Sequence, residues 1–204
     1  MDADDPLKVL FLSANPPGRE GRTLAPEREA QILAARFAAQ RPQRLTLAAY
    51  HGVQNEALLG LVLAHRPAIL HFSGHGSDRG LVMLDRAAQA TPVSGPALAE
   101  LIAAVGGVRC VVLNACFARL VAMALLPRTG FVIGIDGVAK DDTAIAYAVG
   151  LYSALAAGES VASAVRFGRL QALLEARPDF RQLSLYHRPD VDPRAITLVP
   201  RPPS

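Results

Sequence analysis

AILHFSGHG at residues 68–76 and VRCVVLNACFA at 108–118 are the two stretches on which the reading turns. Each is an apolar run of strand length, rich in branched side chains, and each closes in small residues that carry one reactive group. The first carries His75 and the second Cys116. In an open parallel sheet, loops just past the carboxyl ends of the strands line the ligand crevice. If the two strands are neighbours, the imidazole and the thiol share one sheet edge.

Working outward, the same alternation repeats. KVLFLS at 8–13 is followed by turn formers and a helical stretch from Pro26 to Gln40, and LTLAAY at 45–50 by a helix near 54–64. GLVML at 80–84 reads as a hairpin arm, and helices near 96–105 and 118–126 precede VRCVVL and FVIGI respectively. Strands alternating with helices predict an α/β fold, a mostly parallel sheet covered on both faces. Two Ala-rich helices then follow, parted by the helix-stopping Gly158, the first with an apolar stripe at Tyr147, Leu151 and Leu155. The proline-punctuated tail offers two short strand candidates.

The 204 residues, 51% hydrophobic, suit one domain over 1–204, with 1–6 and 200–204 expected as flexible ends. The net charge of +3 is spread along the chain, with Lys8 and Lys140 its only lysines, so no basic block points to nucleic acid. No apolar run is long enough to cross a bilayer, and the acidic start lacks a leader pattern, so the expectation is a cytoplasmic protein. Two cysteines are too few for a disulfide framework and fit a reduced compartment.

An imidazole is the usual base for a thiol nucleophile, and a helix start near Ala118 favours the thiolate of Cys116. Gly74 and Gly76 are expected to permit a tight turn and close substrate approach, and the backbone N–H groups of Gly76 and Cys116 are oxyanion-hole candidates. Cys110, in mid-strand, reads as a buried small hydrophobe. His71 and His75 lie four apart, but on a strand rather than a helix, so they are not a metal pair; His71 reads as a packing residue. Ser73 and Ser77 are expected to bond backbone. The glycines at 74, 76 and 80 precede a strand and form no dinucleotide fingerprint. Neither metal nor cofactor is called for, and the acidic residues form no calcium loop.

HFSGHG, then VVLNACFA, then VIGIDGVAKDDTAIAYAVGLYSALAAGESVASAV resemble the bacterial CHAT domain, a caspase-like branch of the clan that includes separase, gingipain and the metacaspases. The resemblance runs from KVLFLSANPP to YHRPDVDP. It implies a caspase–haemoglobinase fold, a three-layer sandwich with a mostly parallel central sheet, and peptide-bond hydrolysis by a His75/Cys116 dyad. It further implies a protein or peptide substrate and an activating partner or sensor. The sequence departs from that pattern at Arg119, where many relatives have a small polar residue. The connection from Cys116 to Phe131 is also short, leaving little room for the cleavable linker of executioner caspases. For specificity, Asp136, beyond FVIGI, and Asp142, at the next helix start, are candidates to hold a substrate Arg or Lys. Arg19 and Arg22 in NPPGREGRTL are the rivals, suited to an acidic residue. Asp141 or Asp142 serves equally well as a helix cap. A non-catalytic caspase-like interaction module is the competing class.

Overall fold

The computed structural model describes residues 5–16, 26–115, 118–135, 141–177 and 183–201. In chain order the elements are β1 (Leu7–Ala14), α1 (Pro26–Ala38), β2 (Leu45–Tyr50), α2 (Leu58–His65, entered through a 3-10 turn), β3 (Ile69–Gly74), β4 (Gly76–Ser77), β5 (Gly80–Leu84) and β6 (Ala90–Val93). They continue with α3 (Gly95–Val105), β7 (Cys110–Asn114), α4 (Ala118–Leu125), β8 (Phe131–Ile135), α5 (Asp141–Ala156), α6 (Val161–Leu174) and β9 (Leu183–His187).

The main sheet has the order β2-β1-β3-β7-β8-β9. Its first five strands are parallel, and β9 closes the edge antiparallel to β8. From β1 the chain steps outward to β2, then back past β1 to β3, so the order reverses between β1 and β3. That reversal opens a crevice at the carboxyl edge. The side chains of Val9, Phe11, Ile69, Cys110 and Val112 meet α1, α5 and α6 on one face. Those of Leu10, Leu12, Leu70, Phe72, Val111 and Leu113 meet α2, α3 and α4 on the other. This follows from the period of two along each strand. Strands β4, β5 and β6 form a separate antiparallel sheet packed against β1 and α4.

Local chemistry sets the element ends. Pro26 opens α1 with Glu27 and Glu29 in its first turn, where a fixed φ and negative charge suit the helix start. Ser94 caps α3 by accepting from the Ala97 N–H, and Ser160 caps α6 by accepting from the Ser163 N–H. Helix α5 stops at Gly158, φ +78°, where the Gly158 and Glu159 N–H groups bond the carbonyls of Leu155 and Ala154. Tyr147, Leu151 and Leu155 are buried as the stripe predicts, yet Ala146, Ala148, Val149 and Ala154 are buried too. The reason is that α5 is held between the sheet, α1 and α6. In the tail only Leu183–His187 becomes a strand. The second candidate reduces to a single bridge, Thr197 to Ser160, because the prolines around it offer no N–H to a ladder.

Candidate active site

Strands β3 and β7 are adjacent and parallel, with Ser73 paired to Asn114 at the end of the ladder. His75 stands two residues beyond Ser73, and Cys116 two residues beyond Asn114. The two sequence motifs are thus carried by neighbouring strands at equal offsets from one register pair. Cys116 itself lies outside the described residues, as do Asp136, Arg19 and Arg22. Ala115, just before the cysteine, is buried, and α4 begins two residues after it.

Strand β3 runs one residue further than AILHFS suggests, so His75 follows it directly and is 7% exposed. The glycine at 74 therefore lies within the strand rather than in a turn. A Cβ there would meet the Ala14 carbonyl oxygen at 2.8 Å and the Phe72 ring at 2.9 Å, so the close approach is to β1. The His75 carbonyl accepts from the Val82 N–H at 2.9 Å. Antiparallel pairs alternate in bonding, which makes Gly76 and Leu81 the unbonded kind and turns the Gly76 N–H away from β5.

Beneath this edge lies a polar cluster that the sequence reading missed. Glu29 of α1 is 2% exposed. One of its carboxylate oxygens accepts from the Ser73 hydroxyl at 2.8 Å, and the other accepts from the Asn114 amide at 2.5 Å. His71 Nε2 is 3.2 Å from the second oxygen but off the angle of a hydrogen bond, while its Nδ1 meets the Tyr152 hydroxyl at 3.0 Å. The His71 ring is fully buried between Phe11 and Tyr152, at centroid distances of 4.7 and 5.8 Å. Burial pushes the Tyr152 phenol well above its ordinary range, with Cys110 and Glu29 adding to the effect.

His71 is the packing residue its strand position predicts. Ser73 differs: it bonds a carboxylate rather than backbone, because α1 crosses this face. Ser77 does bond backbone, donating to the Gly80 carbonyl at 3.2 Å. The signal for Glu29 was present. Glu29, Leu33 and Phe37 fall at fourfold spacing and are all buried, so an acid sits in line with an apolar stripe.

Cys110 is fully buried, and burial pushes its thiol up to about 12, Arg109 opposing weakly. It stays protonated, as a core thiol should. Asp142, in the first turn of α5, has one oxygen 2.8 Å from the Arg28 guanidinium and the other 3.3 Å from that of Arg177. It joins α5 to α1 and to the chain after α6, and a substrate cation would compete with both arginines for it. Among the described residues no group of three or more His, Cys, Asp or Glu side chains is gathered as for a metal ion, and no helix is long and apolar enough to cross a membrane.

No family model matches the chain, and no curated protein matches it in sequence. Solved structures match it in fold. Against the Arg-specific cysteine proteinase gingipain R the TM-score is 0.62 at 11% identity, over 94% of this chain and 48% of that one. A secreted C11 cysteine protease from Bacteroides thetaiotaomicron, solved with an irreversible peptide inhibitor, gives 0.55 at 12% identity, over 79% of this chain and 57% of that one. Caspase-1 from Spodoptera frugiperda gives 0.53 at 8% identity, over 89% and 86%. The chain thus spans about half the length of the first two. At such identities the likeness is one of fold: the molecule has the caspase–haemoglobinase architecture, with helices on both faces of a mostly parallel sheet.

Proposed function

We propose that the chain is a caspase-like cysteine endopeptidase of the CHAT type, cutting protein or peptide substrates with His75 as base and Cys116 as nucleophile. The observation that carries this reading is the adjacency of β3 and β7, whose ends bear the GHG and NAC motifs at equal offsets. Fold alone would not suffice, since one fold hosts many functions. His75 takes the Cys116 proton, and the thiolate attacks the scissile carbonyl carbon. The N–H groups of Gly76 and Cys116 hold the resulting oxyanion. Collapse expels the amine, which leaves with the proton from His75. Water, activated by the same imidazole, then hydrolyses the thioester and regenerates the thiol.

The enzyme works as one polypeptide, under control of a partner or sensor domain. The connection after Cys116 supports this, because α4 takes up eight of its residues and the turn beyond is tied down. There the Thr129 N–H bonds the Leu125 carbonyl and its hydroxyl bonds that of Val108. A bacterial effector acting in the reducing cytoplasm fits the low cysteine count. For specificity we favour a basic residue before the cut, held by Asp136 with Asp142 nearby in sequence; that gingipain R is Arg-specific is in line with this choice. A peptide library tests it. Asp136→Ala should lose the preference for Arg and Lys while the thiol stays reactive, whereas a preference for Asp abolished by Arg19→Ala or Arg22→Ala would assign the pocket to the first loop. A chain that takes no thiol-directed label under reducing conditions, with candidate activators present, would be the non-catalytic interaction module instead.

A further inference from the structure

We infer that Glu29 is a positioning residue for the dyad, fixing the ends of β3 and β7 relative to each other; this rests on the His75/Cys116 reading above. The geometry is symmetric. The carboxylate uses one oxygen on Ser73 and the other on Asn114. Those two residues face each other across the last pair of the β3–β7 ladder. Each lies two residues before a member of the dyad, so one rigid group braces both strand ends where regular pairing stops.

A backbone ladder already holds the strands along their length, and it does not need a buried acid. Placing a carboxylate at 2% exposure carries a desolvation cost that an apolar residue in line with Leu33 and Phe37 would avoid. Among the described residues no other carboxylate is buried in this way, and this one lies at the ends of β3 and β7, two residues short of His75 and Cys116 in sequence. Carboxylate oxygens accept from both neighbours at once, whereas an amide at the same place presents one acceptor and one donor. Glu29 thus accepts from two donors at once. Gln in its place must turn an N–H either toward Ser73, whose hydroxyl then has to accept, or toward Asn114, whose amide then has to rotate. One of the two braces is rearranged, and both lose their charge assistance. The rotamers of Ser73 and Asn114 are locked by this arrangement, and second-layer locking of this kind sets reactive geometry to fractions of an ångström. A misplacement of about 1 Å can cost on the order of 100-fold in rate.

The test uses the full chain, with any activator it requires, and peptidyl acyloxymethyl ketones bearing Arg, Lys or Asp before the warhead. Inactivation kinetics separate the bond-forming rate from the binding constant, and thermal melts report the folded fraction. Glu29→Gln should lower the bond-forming rate by about 10- to 100-fold with the binding constant changed less than about threefold. Ser73→Ala, which breaks one arm, should fall between that variant and the wild type. Pairing Glu29→Gln with Asn114→Asp restores a donor–acceptor match and should recover most of the rate. A wild-type rate in both single variants would overturn the inference while leaving the dyad intact. So would a loss that disappears once corrected for the folded fraction. A native chain that is not labelled at Cys116 would overturn the dyad reading, and the role of Glu29 with it.

Discussion

The two faces of the main sheet are built from the same strands, yet they differ in kind. On the face covered by α2, α3 and α4, the central strands present apolar side chains at successive levels: Leu10, Leu12 and Ala14 from β1, Leu70 and Phe72 from β3, and Val111 and Leu113 from β7. On the face covered by α1 and α5, the strands carry Ser13, His71, Ser73 and Asn114, met by Glu29 and Tyr152 from the helices. The polar positions are not scattered. Ser13, Ser73 and Asn114 lie at one level across β1, β3 and β7, the last on this face before the strands end. One face therefore holds the sheet together, and the other both holds it and shapes what stands above it. Ser13 extends the polar row to the crevice at the order reversal, where its hydroxyl meets His51 Nδ1 at 2.8 Å.

If this division is right, mutations on the two faces should separate stability from activity. The largest stability effect is expected from Leu113→Ala, since the side chain is fully buried and its loss leaves a cavity. Unfolding should become easier by about 2–5 kcal/mol, with thiol reactivity of the folded fraction unchanged. Reactivity falling ahead of stability in that variant would break the comparison.

Cys110 gives the next effect, read against pH. Its folded pKa is raised from 9.0 to about 12, so the unfolded chain loses the proton first. Stability should be intact below about pH 9 and should decline as pH rises toward 12, by up to ~1.4 kcal/mol per pH unit. The raised Tyr152 phenol acts in the same direction. Urea midpoints measured across the alkaline range should slope less steeply in Cys110→Ala; an unchanged slope would contradict the assignment.

A smaller effect belongs to Tyr152→Phe, which leaves the buried Nδ1 of His71 without its hydroxyl partner. A loss of about 1–3 kcal/mol should appear in chemical denaturation. Smallest is Asp142→Asn. Its carboxylate is partly exposed in its pairs with Arg28 and Arg177, so the stability change should stay below about 1 kcal/mol. A larger loss would mean that α5 depends on that surface tie more than its packing suggests.

Much of this was legible in the sequence, for identifiable reasons. The strand and helix order followed from apolar runs and turn formers, since a parallel strand buried on both faces reads as continuous hydrophobicity. The position of His75 just past β3 followed from where the apolar run gives way to glycine. Cys110 could be set apart from Cys116 by position along the strand alone. Glu29 escaped because an acid in a first helical turn has an ordinary explanation, the helix dipole. Its actual partners come from β3 and β7, 44 and 85 residues away in sequence, and no local pattern announces a contact of that range. The bonding of Ser73 was misread for the same reason, and the near-complete burial of α5 depends on two neighbours that a single helical stripe does not reveal.

The central claim is that β3 and β7 deliver a base and a nucleophile to one edge. It is tested most directly by exposing the reduced protein to a peptidyl acyloxymethyl ketone and mapping the adduct by mass spectrometry. The account predicts a single thioether at Cys116 and none at Cys110. Labelling should be abolished in Cys116→Ala and slowed by several orders of magnitude in His75→Ala. A label on Cys110, or undiminished labelling in His75→Ala, would contradict it.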